Sequence, residues 1–67
     1  MMMTLKAARV NAGMNQHEAA KIIGVSVDTI SQYERGRTFP DVPIIKKITA
    51  AYGVNYDDID FCPKITV

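Results

Sequence analysis

The 67-residue sequence predicts an all-α fold, a compact bundle of five short helices, on three observations. Residues that cap helix starts recur just ahead of segments with helical apolar spacing. A glycine closes most of those segments, and the stretches between them leave almost no linker. No internal repeat or low-complexity stretch interrupts the pattern.

Thr4 caps a first helix in which Leu5, Ala8 and Ala12 form an i, i+3, i+7 stripe, and Gly13 terminates it. Asn15 followed by Glu18 has the form of a capping box, the amide serving free backbone N–H groups while the carboxylate reaches back. The second helix then runs to Gly24. Ser26 caps a third helix, Asp28 lies in its first turn where negative charge suits the helix dipole, and Gly36 stops it after Arg35. Arg37, Thr38, Phe39, Pro40 and Asp41 read as a loop. Pro43 suits the first turn of a fourth helix bearing Ile44, Ile45, Ile48, Ala51 and Tyr52, which Gly53 ends. Asn55 caps a short fifth helix through Ile59. These elements make one domain over residues 1–60. The tail, 61–67, is β-prone but broken by Pro63, and reads equally as strand or loose end.

Composition removes several classes. Cys62 is the only cysteine, and no His or Cys cluster has metal-ligand spacing, so a disulfide scaffold, a zinc site or any other metal or cofactor site is not expected. No apolar run approaches the roughly 18 residues of a spanning helix, and Met1 to Met3 do not open a signal peptide, which points to a cytoplasmic protein without membrane contact. One histidine, His17, one cysteine and no phosphate-binding glycine loop leave no catalytic constellation, so an enzyme is not expected. The net charge of +1 is weakly informative. Its distribution says more: Lys6, Arg9, Lys21, Arg35 and Arg37 outnumber Glu18, Asp28 and Glu34 in residues 1–37, whereas the remainder is slightly acidic.

The second and third helices are separated only by Gly24, Val25 and Ser26, a turn so tight that they must cross at roughly 90 to 120°. The residue types suit that crossing. Gln16 opens the second helix, small Ala20 permits close approach, Gly24 can take a positive φ, and Ile30 and Tyr33 face inward. Opposite Ile30, the residues Asp28, Ser31, Gln32 and Arg35 share one polar face at i, i+3, i+4, i+7. A steep hairpin holds such a helix outward as a probe.

The run Met14-Asn15-Gln16-His17-Glu18-Ala19-Ala20-Lys21-Ile22-Ile23-Gly24-Val25-Ser26, continued by Val27-Asp28-Thr29-Ile30-Ser31-Gln32-Tyr33-Glu34-Arg35-Gly36, resembles the lambda-repressor-like, or XRE-type, helix-turn-helix family. Ala50-Ala51-Tyr52-Gly53-Val54 is similar to the family's fourth helix, and the resemblance extends from about Leu5 to Ile59. Small phage repressors look most similar. The resemblance implies sequence-specific binding of a double-stranded DNA operator by a transcriptional regulator, with the helix over about 27–35 in the major groove. It places Val27, Asp28 and Gln32 at the base-reading positions, with Ser31 as a further contact. Their chemistry agrees: Gln32 can pair with adenine N7 and N6, Val27 can pack on a thymine methyl, and Asp28 can accept from cytosine N4. Asp28 reads equally as a charge that stabilises the helix start.

Gln16 matches the family's phosphate clamp at the second helix's N-terminus. Arg35, Arg37 and the Thr38 hydroxyl are expected to meet phosphates, and His17 lies near them. Phe39 and Asp41 stand where many relatives carry another base. Lys6 and Lys21 read as solvated charges. Arg9 and Glu34 match a family ion pair that ties the first helix to the end of the third, a structural role. A short reading helix implies a homodimer on half-sites about one turn apart, with Phe61, Ile65 and Val67 as the apolar seam. No small-molecule ligand is implied. The competing reading is a protein-interaction adaptor or antitoxin-like module that engages its partner through Asp57, Asp58 and Asp60.

Overall fold

The computed structural model describes residues 2–61. Four α-helices form: α1 (Leu5–Asn11), α2 (Gln16–Ile23), α3 (Val27–Glu34) and α4 (Val42–Tyr52). Each starts where a side chain satisfies a free backbone N–H. Thr4 Oγ1 accepts from Ala7 N–H at 3.1 Å, and Ser26 Oγ accepts from Thr29 N–H at 3.1 Å. Asn15 and Glu18 close the expected capping box, with distances of 2.8 and 2.9 Å. Asp41, read from sequence as loop, caps α4 by accepting from Ile44 N–H at 3.1 Å, ahead of Pro43 in the first turn. This explains the acid at a position where a base was expected.

The expected fifth helix does not form. Its N-terminus is present as a single 3-10 turn, Tyr56–Asp58, in which Asp58 Oδ2 accepts from Asn55 N–H at 3.1 Å. The chain then extends. Strand β2 (Ile59–Asp60) pairs in parallel with strand β1 (Met3–Thr4), Met3 opposite Ile59. The cause is the two-residue spacing of Ile59 and Phe61: an extended segment sends both side chains inward, where they are 3% and 5% exposed. One more helical turn would separate them and place Asp60 at the negative end of the helix dipole.

Leu5, Ala8, Ala19, Ala20, Ile23, Ile30, Ile48, Tyr52, Ile59 and Phe61 make the core. Ala19 and Ala20 let α2 lie close to both α3 and α4. Gly24 has φ +88° and closes α2 with its N–H on Ala20 O at 2.8 Å, the left-handed step that turns the chain sharply into α3. Phe61, expected in an intermolecular seam, is instead spent inside this chain's own core. Ile65 and Val67, also assigned to that seam, and Cys62 lie outside the described residues. No helix among the described residues is long and apolar enough to cross a membrane.

Candidate nucleic-acid interface

Helix α3 is anchored by Ile30, which is 2% exposed, and by half-buried Tyr33 packed on the core. The opposite side faces outward: Asp28 and Arg35 are exposed, Ser31 and Gln32 half-buried. Gln32 Nε2 donates to Asp28 Oδ2 at 3.0 Å, so two sequence-predicted base readers are joined one turn apart. Val27 is half-buried at the start of α3 and packs against the core on one side. Arg37 and Thr38 are exposed in the loop that follows, and His17 is exposed on α2.

A polar cleft of about 300 Å³ opens between the helices, lined by Lys6, Gln16, Ser31, Glu34 and Arg35. It brings together the expected phosphate contacts Gln16 and Arg35 and the expected base contact Ser31. His17, Arg37 and Thr38 lie outside its lining. Lys6, read from sequence as a solvated charge, is part of it. Only the packing of α1 against α3 puts Lys6 there, so no local motif could have marked it.

The cleft's floor is a network centred on Glu34. Arg9 Nε donates to Glu34 Oε2 at 2.7 Å and Nη2 to Oε1 at 3.3 Å, while Nη1 donates to the Met14 carbonyl at 2.8 Å. The two side chains are 8% and 7% exposed, so the expected pair is present and buried. Gln16 Nε2 also donates to Glu34 Oε1, at 3.1 Å. One carboxylate therefore holds α1, α2 and α3 in register. It also restrains the Gln16 amide at the mouth of the cleft, a link the sequence reading did not contain. A carboxylate has about four acceptor directions and a bidentate arginine takes only two, which is the signal that could have suggested a third partner.

Charge in this network is settled. The hydrogen bond that Arg9 donates to Glu34 raises the Arg9 guanidinium pKa further, against the opposing effect of burial. Behind the pair, burial and then the Glu34 carboxylate push the Tyr52 phenol from 10.0 up to about 12, with Arg9 acting in the opposite sense. Arg9 offsets the charge of Glu34 through their ion pair, and the cleft also carries Lys6, Arg35, the Gln16 amide and the Ser31 hydroxyl. Among the described residues no group of three His, Cys, Asp or Glu side chains could hold a metal ion.

Compared with known proteins, residues 5–59 match the profile of the family described as Helix-turn-helix. Over 53 residues the chain is 38% identical to the HTH-type transcriptional regulator ImmR of Bacillus subtilis (strain 168), a stretch covering 79% of this chain and 42% of that protein. Over 50 residues it is 36% identical to the cryptic phage CTXphi transcriptional repressor RstR of Vibrio cholerae, covering 75% and 45% respectively. The matched stretch spans less than half the length of these two relatives. No solved structure matches the chain significantly.

Proposed function

Because this chain belongs to the helix-turn-helix family, we propose that it binds double-stranded DNA sequence-specifically, as a transcriptional regulator of the phage- or prophage-repressor type. Both relatives are described as transcriptional regulators, one of them a phage repressor. The observation that carries the reading is the outward polar ridge of Asp28, Ser31, Gln32 and Arg35, on a helix that a tight turn holds against α2.

In this reading α3 enters the major groove. Gln32 keeps Oε1 and its second Nε2 proton for the N6 and N7 edge of an adenine, and Val27 packs on a thymine methyl. Asp28 contributes by orienting Gln32 and by its remaining oxygen. Gln16, with the N-terminus of α2, clamps a backbone phosphate over the cleft, and Lys6 and Arg35 flank it. Arg37, Thr38 and His17 lie further out along the same backbone. With a net charge of +1, long-range attraction is weak, so geometry and the pairing of two copies on adjacent half-sites supply most of the useful affinity.

Selection from random duplexes at two salt concentrations tests this. The expected result is an enriched half-site whose affinity falls steeply with salt. Absence of any enriched sequence would favour an interaction module that meets a protein partner instead.

A further inference from the structure

The ionised carboxylate of Glu34 can only accept hydrogen bonds, so the group of Gln16 that faces it must be the amide nitrogen. The last side-chain torsion of a free glutamine is broad and lets the amide turn either way. At Gln16 a half-turn would replace the 3.1 Å bond with the amide oxygen set against a carboxylate oxygen, which is repulsive. Arg9 leaves this acceptor largely to Gln16: its short bond is Nε on Oε2 at 2.7 Å, whereas Nη2 reaches Oε1 only at 3.3 Å. Water also has little access to the bond, since Gln16 is half-buried and the Glu34 side chain is 7% exposed. A bond so shielded holds its donor more firmly than the exposed one between Gln32 and Asp28.

We propose that Glu34 is a positioning residue for DNA: its carboxylate takes one Nε2 proton of Gln16 so that the other is held ready for a backbone phosphate. This rests on the reading of Gln16 as a phosphate contact. Among the described residues no acceptor takes that second proton, and Gln16 shares the cleft with Lys6 and Arg35, whose charges favour an anion there. The rotamer freedom that a long amide side chain loses on contact is in this arrangement lost at folding, before DNA arrives.

The sign of the effect separates this role from plain charge. Glu34 carries a negative charge beside the expected phosphate, so its removal by charge alone tightens binding. Its removal as the holder of Gln16 loosens it. A purely structural Glu34 predicts a third result, a loss of stability with the affinity of the folded molecules unchanged, or changed by the same factor whether or not Gln16 is present.

The test is a cycle of Gln16→Ala, Glu34→Gln and the double variant. Each is titrated with the duplex enriched by selection, at a temperature where circular dichroism shows it folded. Gln16→Ala and Glu34→Gln should each weaken binding by roughly two- to tenfold, the range of one hydrogen bond, and the double variant should bind no more weakly than Gln16→Ala alone. Without DNA, Glu34→Gln should lower the denaturation midpoint in both backgrounds, because Arg9 loses its partner in each. Tighter binding by Glu34→Gln would show that the carboxylate competes with phosphate for the amide, and losses that multiply would make Glu34 structural only; either overturns the proposal. A second measurement needs no variant: in NMR spectra of the free wild-type chain, one Gln16 side-chain amide proton should exchange with water more slowly than the other, and added duplex should shift the other. Equal exchange of the two protons would also overturn the proposal. If no duplex is enriched, the DNA reading fails and this role with it, whereas enrichment followed by multiplying losses removes the role alone.

Discussion

Gln32 and Asp28 face outward together on α3, joined by a 3.0 Å hydrogen bond from Nε2 to Oδ2. The bond fixes which end of the amide points along the helix, and in the proposed reading the carbonyl oxygen is left to accept from a base. Gln32→Ala should relax preference at one base position, costing about 1–3 kcal/mol there and little elsewhere. Asp28→Ala should blunt the same position, by freeing the Gln32 amide to rotate. Binding measured against a panel of single-base variants of the selected duplex checks both. Undiminished preference in Asp28→Ala would remove the orienting role.

Phosphate contacts should behave differently from base contacts. Lys6→Ala and Arg35→Ala should weaken binding evenly across sequences, each lowering the slope of log K against log salt by about 0.9. Gln16→Ala should weaken binding evenly with the slope unchanged, because a neutral donor displaces no counterion. Titrations at several salt concentrations separate these outcomes. A normal salt slope in Lys6→Ala would place that lysine away from the DNA.

Arg9 is expected to act on stability, through its buried pair with Glu34. Its removal leaves the Glu34 carboxylate buried with only the Gln16 amide beside it. Loss of one partner of a buried pair costs about 3–5 kcal/mol, a large share of the total for so small a domain. Arg9→Ala should therefore lower the melting temperature sharply, and DNA binding should fall only as far as the folded fraction does. Unchanged melting with lost binding would reverse the assignment.

Alkaline pH should unfold the domain partly through Tyr52. Its phenol titrates near 12 in the fold against an ordinary value of 10.0, so the protein favours the protonated form. That contribution is fully present below about pH 10 and is lost as pH rises through about 12. Tyr33 is raised as well, by burial first and then by Asp41, so Tyr52→Phe should reduce the alkaline loss without abolishing it. Denaturant midpoints measured across this range check the sign. An equal decline in Tyr52→Phe would assign the effect to other groups.

What could be read from the sequence was local chemistry. Thr4, Asn15 with Glu18, Ser26 and Gly24 act within a turn of their own position, and each does in the structure what its type suggests. Ile30 and the polar ridge opposite it follow from helical periodicity. The misreadings share a different character. Asn55 opens a helix-like turn, but the fate of Ile59 depends on Met3, which lies at the other end of the described chain. Asp41 was hidden as a cap by the loop-like residues before it. The place of Phe61 in the core depends on Phe39, which is far away in sequence, and on the 3-10 turn that brings nearby Tyr56 over it. Of the candidate interface, the outward polar face of α3 was legible, while the place of Lys6 and the tether from Gln16 to Glu34 required the packing of the helices.

The pairing of Met3 with Ile59 turns the string of helices into a closed circuit. Joining positions so distant in sequence carries a chain-entropy cost on the order of 3–4 kcal/mol, which two residues of ladder cannot offset alone. The clasp rests on the surface that Leu5, Ile48 and Tyr52 build, and Ile59 and Phe61 complete that surface. Neither end is secure without the other. Opening at the strand pair should therefore undermine the core, so that the described residues are expected to melt as one cooperative unit.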